Sequence, residues 1–278
     1  MKNERIFLDA DREVWIDTYV AEGSRDRAAI LVIPGGGYEQ VCTDREGEPI
    51  ALSFFGKGLN AFVLNYRVNS NCKAGKAGKA VTYPAQLTDA ALAMIYIREN
   101  ATALGVDSRR VYATGFSAGG HLCGSLANMY EYPEMKERFG DKTALIRPDA
   151  VVLCYPVAVA CENTHVRSFQ NLIGKPYAEI TEEEKLRFSL DSTINDNTPP
   201  MFLWHTAEDV LVPVEGTLRL AIALQDKGIP YMLDIYPYGP HGLALANEIT
   251  ECGNPLMVQP IAEGWIDKAC RWFKTLEG

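Results

Sequence analysis

Hydrophobic positions along this chain fall into alternating patterns of two lengths. Continuous apolar or β-branched runs at 28–33, 61–66, 111–114, 150–155, 201–206 and 231–236 have the length and composition of strands buried on both faces. Segments of helical character lie between them, at 48–57, 84–103, 122–129 and 214–227. Gly56 or Gly58 closes the first, while Pro84 opens the second, whose apolar face carries Leu87, Ala91, Met94, Ile95 and Ile97. Such alternation predicts a mostly parallel central sheet with right-handed crossovers and helices on both faces. Ahead of it, Ile6 and Leu8, then Val14, Ile16, Thr18 and Val20, alternate around the polar turn Asp9-Ala10-Asp11. That spacing predicts an N-terminal antiparallel hairpin at the sheet edge.

Two stretches break the pattern. Residues 73–79, Lys-Ala-Gly-Lys-Ala-Gly-Lys, are low in complexity and predict a mobile surface loop, and without interleaved aromatics they do not read as a basic substrate patch. Residues 157–198 mix His165, Phe169, Leu172 and Tyr177 with an acidic helix at 181–188 and end at Pro199-Pro200. They predict a small cap-like insertion after the sixth strand, lying over whatever site the sheet carries.

The candidate chemistry begins where the run 111–114 flows without a loop into Gly115-Phe116-Ser117-Ala118-Gly119, followed at once by a helix. Strand, sharp turn and helix with serine at the apex is the context in which Gly-x-Ser-x-Gly holds a nucleophile clear of the sheet. The competing reading is a βα loop that merely connects elements or cradles an anion. A second glycine cluster, Pro34-Gly35-Gly36-Gly37-Tyr38, ends the buried run 28–33. It lacks the Gly-x-Gly-x-x-Gly spacing of a dinucleotide loop, and its amides could face a developing oxyanion.

An elbow serine needs a base and an acid. Parallel strands place their C-terminal ends on one rim, so Asp209, in the loop after the run 201–206, is the candidate acid, with Glu208 as its neighbouring competitor. His241, in Pro240-His241-Gly242 after the last strand, is the candidate base. The chain order Ser117, Asp209, His241 is the order of nucleophile, acid and base in α/β-hydrolases. Of the other histidines, His121 lies a helical turn past the serine and predicts a packing role. His205 sits within a core-like strand, and His165 belongs to the insertion, where it could touch substrate.

Composition narrows the partners. The 278 residues carry a formal net charge of −9, which argues against nucleic acid or anionic membranes and favours a neutral or cationic small substrate. Charge appears too early at the N-terminus for a secretory leader, and no run of about 18 apolar residues occurs, so a cytoplasmic location is expected. Seven cysteines, odd in number and without a Cys-x-x-Cys pair, predict reduced thiols and no zinc site.

Pro34-Gly35-Gly36-Gly37-Tyr38, Asn65-Tyr66-Arg67, Tyr83-Pro84 with Asp89, Gly115 to Leu122, Asp209 with Val212-Pro213, and His241-Gly242 together resemble α/β-hydrolase esterases, particularly acetyl-xylan-esterase-like carbohydrate esterases. The resemblance implies one α/β-hydrolase domain over 1–278 and hydrolysis of small acyl esters, acetylated sugars included, without metal or organic cofactor. It further implies an oxyanion hole from the amides of Gly36, Gly37 and Ala118, and a small acyl pocket near Tyr38. Many relatives carry His-Gly-Gly-Gly where this chain has Pro34 before the glycines. An arylformamidase, a general carboxylesterase and a non-catalytic binding member of the fold are the alternatives.

Overall fold

A computed structural model describes residues 1–23 and 25–276. The six apolar runs become β3 (Arg27–Ile33), β4 (Asn60–Asn65), β5 (Val106–Phe116), β6 (Val151–Cys154), β7 (Met201–Thr206) and β8 (Tyr231–Tyr236). They pair in parallel in the order β4-β3-β5-β6-β7-β8. The predicted hairpin, β1 (Arg5–Phe7) and β2 (Trp15–Tyr19), adds antiparallel to the free side of β4.

Both faces of the sheet are covered, and the side-chain alternation of each strand divides the core in two. Ala29, Leu31 and Ile33 of β3 pack with the helices Ala85–Glu99, Ala118–Met129 and Glu215–Lys227, whereas Ile30 and Val32 face Glu48–Gly56 and Trp265–Thr275. Phe202 and Trp204 of β7 join the second face, Met201 and Leu203 the first. This double burial is why the strands read as continuous apolar runs.

Three local outcomes differ from the pattern. The strand leading to the elbow begins at Val106, because Asp107 binds the amide and guanidinium of Arg109 and so carries a polar lead-in that periodicity does not mark. The long helix predicted to end near Ala103 divides at Asn100 into Ala85–Glu99 and Ala101–Leu104, with Gly105 in the left-handed conformation stopping it. In place of a loop throughout 73–79, Lys73–Lys76 form a single helical turn whose Gly75 amide donates to Cys72 Sγ. Among the described residues no helix is long and apolar enough to cross a membrane.

Candidate active site

Ser117 stands where β5 passes directly into the helix Ala118–Met129, with φ 53° and ψ −120°, a strained backbone for a residue with a side chain. Neighbouring strands hold that conformation. The Ser117 amide donates to the Cys154 carbonyl at 3.0 Å, and the Ser117 carbonyl accepts from Val157 at 3.1 Å and His121 at 3.0 Å. The flanking glycines are there for space. A Cβ on Gly115 would lie 2.2 Å from the Gly119 carbonyl oxygen, and one on Gly119 only 2.3 Å from the carbonyl oxygens of Ile33 and Pro34. The elbow can therefore press against the end of β3, which brings the glycine loop to the serine.

The structure brings the three candidate side chains together. Ser117 Oγ lies 2.8 Å from His241 Nε2, and His241 Nδ1 lies 2.6 Å from Asp209 Oδ2. Asp209 is buried and encircled by donors: Leu211 and Val212 amides on Oδ1 at 3.0 and 2.8 Å, and His205 Nε2 with His241 Nδ1 on Oδ2. Burial would raise its pKa, but the hydrogen bonds from His205 and His241 outweigh that and hold the carboxyl well below the usual range. His205 Nε2 also reaches the Val212 carbonyl, which only accepts, so this nitrogen carries the hydrogen and Nδ1 accepts from Thr217 Oγ1. The core-like histidine is thus satisfied, as its strand position implied, and it also props the acid. Glu208, the competitor, instead accepts the Gly239 amide at 3.2 Å and points away from His241 Nδ1.

The glycine loop runs beside the serine: a Cβ on Gly35 would sit 3.0 Å from Ser117 Cβ. Gly36 has φ 126°, and a Cβ there would meet the Gln40 carbonyl at 2.1 Å, so the loop's path requires glycine. The amides of Gly36, Gly37 and Ala118 donate to no acceptor among the described residues, as free oxyanion donors would. Tyr38 is placed otherwise than expected. Its side chain is buried, 1% exposed, and its hydroxyl donates to His121 Nδ1 at 2.7 Å, so it supports the loop from beneath and presents no group to an acyl pocket. His121 Nε2 donates in turn to the Phe188 carbonyl at 2.6 Å, the packing role its helical position implied. Pro34, in the place where relatives carry histidine, offers its carbonyl to Tyr66 Oη at 2.9 Å.

One residue of this site gave no sign in the sequence. Glu46, fully buried, accepts the Gly35 amide at 2.8 Å and the Tyr155 hydroxyl at 2.9 Å, and that same hydroxyl accepts the Ala244 amide at 3.0 Å. A single carboxylate thereby joins the glycine loop, the end of β6 and the loop that carries His241. Nothing separates Glu46 from the acidic residues around it, Asp44 and Glu48, except where the chain folds.

Residues 16–224 match the family model described as BD-FAE. The chain belongs to the BD-FAE family. Its sequence is 39% identical over 231 residues to endo-1,4-beta-xylanase B of Butyrivibrio fibrisolvens, covering 83% of this chain and 34% of that protein. It is 28% identical over 240 residues to the acetylxylan esterase of Xylanibacter ruminicola, covering 84% and 45%. The chain thus spans between a third and a half of the length of these curated relatives. Among solved structures, an acetyl ester-xyloside bifunctional hydrolase from Caldicellulosiruptor lactoaceticus superposes with a TM-score of 0.81 at 31% identity, covering 99% of this chain and 96% of that one. The α/β-hydrolase fold and the esterase-like kinship read from the motifs both hold. The BD-FAE match takes in the glycine loop, Ser117 and Asp209 but stops short of His241, which is related to the other two by its distances.

Proposed function

We propose that this chain is a serine esterase that removes acetyl groups from acetylated sugars, xylose-containing ones foremost, through Ser117, His241 and Asp209. The observation that carries the reading is the continuous chain of short contacts from Asp209 Oδ2 through His241 to Ser117 Oγ, 2.6 and 2.8 Å long. Ionised Asp209 accepts a hydrogen bond from His241 Nδ1–H, which leaves Nε2 as acceptor for the serine hydroxyl. As Oγ attacks the acyl carbon, Nε2 takes its proton. The amides of Gly36, Gly37 and Ala118 hold the tetrahedral oxyanion. Collapse then breaks the ester bond, and the leaving alcohol receives the proton back from Nε2. Water enters and repeats these steps on the acyl-enzyme, releasing acetate and restoring the serine. The names of the relatives support an acetylated sugar as the alcohol half, and the net charge of −9 favours a neutral substrate of that kind.

Steady-state rates on acetylated xylo-oligosaccharides, p-nitrophenyl acyl esters of increasing length and N-formylkynurenine test the reading, with Ser117→Ala as the control. Loss of a triad serine lowers turnover by about 10⁶-fold, so S117A should retain its circular dichroism spectrum and lose ester hydrolysis. Undiminished turnover in S117A would remove Ser117 as nucleophile. Preference for N-formylkynurenine would make the protein an arylformamidase, and wild-type protein without turnover or fluorophosphonate labelling would be a binding protein.

A further inference from the structure

One imidazole at the rim has no task in that mechanism. His165 caps the helix Val166–Ile173, and this helix grips the glycine loop from outside. Asn171 Nδ2 donates to the Gly37 carbonyl at 2.8 Å, Arg167 pairs with Glu39 at 2.6 Å, and the Leu172 carbonyl accepts the Tyr83 amide at 2.8 Å. These attachments set the His165 ring over the loop: its Cε1 would lie 3.7 Å from a Cβ built on Gly37. The ring's rotation is fixed as well, because Nδ1 lies 2.8 Å from Ser168 Oγ, a hydroxyl only 1% exposed. Nδ1 is the one partner of that hydroxyl among the described residues. Donation to Nδ1 satisfies its hydrogen and leaves Nε2–H as the free donor.

Nε2 is bonded to no protein group among the described residues, and the ring is half-buried. Its surroundings are those of the reacting centre. Burial, then the charges of His241 and Arg167, lower its basicity, with Asp209 acting in the opposite sense. A neutral, oriented imidazole offering one N–H suits a neutral hydroxyl oxygen and gives nothing to an alkyl or aryl group. The leaving oxygen must sit beside His241, which protonates it, and His165 stands over Gly37 of the glycine loop that borders the same serine.

We propose that His165 is a specificity-determining residue whose Nε2–H binds a free hydroxyl of the alcohol half of the ester, so that polyol esters are selected over aryl esters. This rests on the esterase reading above. A site built to hydrogen-bond a substrate hydroxyl discriminates against analogues lacking it, because its own polar group is then left unpaired. One neutral hydrogen bond corresponds to about tenfold in affinity.

Wild type, His165→Ala and His165→Gln are compared on acetylated xylobiose and p-nitrophenyl acetate. H165A should lower kcat/KM for the sugar ester about tenfold more than for the aryl ester, chiefly through KM. H165Q, whose amide can reach the place of Nε2, should recover most of that difference. Equal losses on both esters would show that His165 only supports the glycine loop, and no loss on either would show that it touches no substrate; both overturn the proposal. Wild type that cleaves p-nitrophenyl acetate but no acetylated sugar overturns the sugar reading itself, and this inference with it, before any variant is made.

Discussion

Asp209→Asn offers a sharp test of the triad, because the carboxylate is surrounded by donors on every side. Its Oδ1 accepts two backbone amides and its Oδ2 two imidazole N–H groups. An amide in its place must turn an NH₂ toward one pair. Facing Leu211 and Val212, it would leave two backbone donors without an acceptor; the buried Val212 amide would cost about 1–3 kcal/mol, the Leu211 amide, on an exposed residue, less, and neither can rearrange. Facing the histidines, it meets groups with an escape. His205 keeps the Val212 carbonyl at 2.8 Å, and His241 can shift its hydrogen to Nε2 and accept at Nδ1. The second orientation is therefore favoured by about 1–3 kcal/mol. The consequence for catalysis is severe, since Nε2 then holds a hydrogen where the Ser117 proton should go. Turnover should fall about 10⁴-fold, the loss seen when a serine triad's aspartate becomes asparagine, or about 5.5 kcal/mol in the barrier. Stability should fall far less, by about 1–2 kcal/mol, or a few degrees in Tm for a chain of this size. Steady-state kinetics on p-nitrophenyl acetate and a thermal melt measure both. Glu208→Gln is the control, expected to lose less than about tenfold because that side chain bonds only the Gly239 amide in this region. D209N retaining more than about 1% of wild-type kcat, or E208Q falling by the larger factor, would refute the assignment of the acid.

Acid stability should follow the same carboxylate: Asp209 is held well below its unfolded pKa of about 3.9, so its ionised form stabilises the fold above that pH, and the contribution is lost as pH falls from there toward the lower folded value. Wild-type Tm should thus drop more steeply than that of D209N between about pH 4 and pH 2, and parallel curves would show that the carboxylate is not the group responsible. Glu46→Gln should separate activity from stability. Burial raises the Glu46 pKa, so its ionised form costs stability as pH rises through that value; the amide removes this cost but can accept from only one of Gly35 and Tyr155. A Tm within a few degrees of wild type and a kcat lowered about tenfold are expected, and an unchanged kcat would dismiss Glu46 as a support of the glycine loop.

The features legible in the sequence are those whose physical cause is local or periodic. Double burial marks a strand such as β7, all of whose residues are buried, as an apolar run, and both β7 and the edge strand β8 begin and end where the pattern places them. The proposed triad was legible for a related reason: parallel strands put their C-terminal loops on one rim, so an acid after β7 and a histidine after β8 come near an elbow after β5. Residues whose role depends on which surfaces meet left no such mark. Glu46 is one acidic residue in an acidic stretch until the fold buries it beneath Gly35. Tyr38 follows the glycines in sequence, yet its backbone takes a positive φ of 58° and its ring is buried against Tyr66 and His121.

His121 shows what such an unwritten contact does for the site. Its Nε2–H is committed to the Phe188 carbonyl and its Nδ1 to the Tyr38 hydroxyl, while burial pushes its pKa down to about 4. The ring therefore stays neutral near pH 7, and neither bond is lost to protonation there. Through these two bonds the elbow helix holds both the glycine loop and the segment 157–198. Asn128 repeats the arrangement two turns along the same face, its amide donating to the Leu190 carbonyl and to Thr193 Oγ1. The segment is also fastened to the glycine loop directly by Asn171 and Arg167. The segment is thus bonded both to the elbow helix and to the glycine loop. On the proposal above, these attachments orient His165 toward the alcohol half of a substrate, and selectivity among alcohols then depends on the side chains the segment presents.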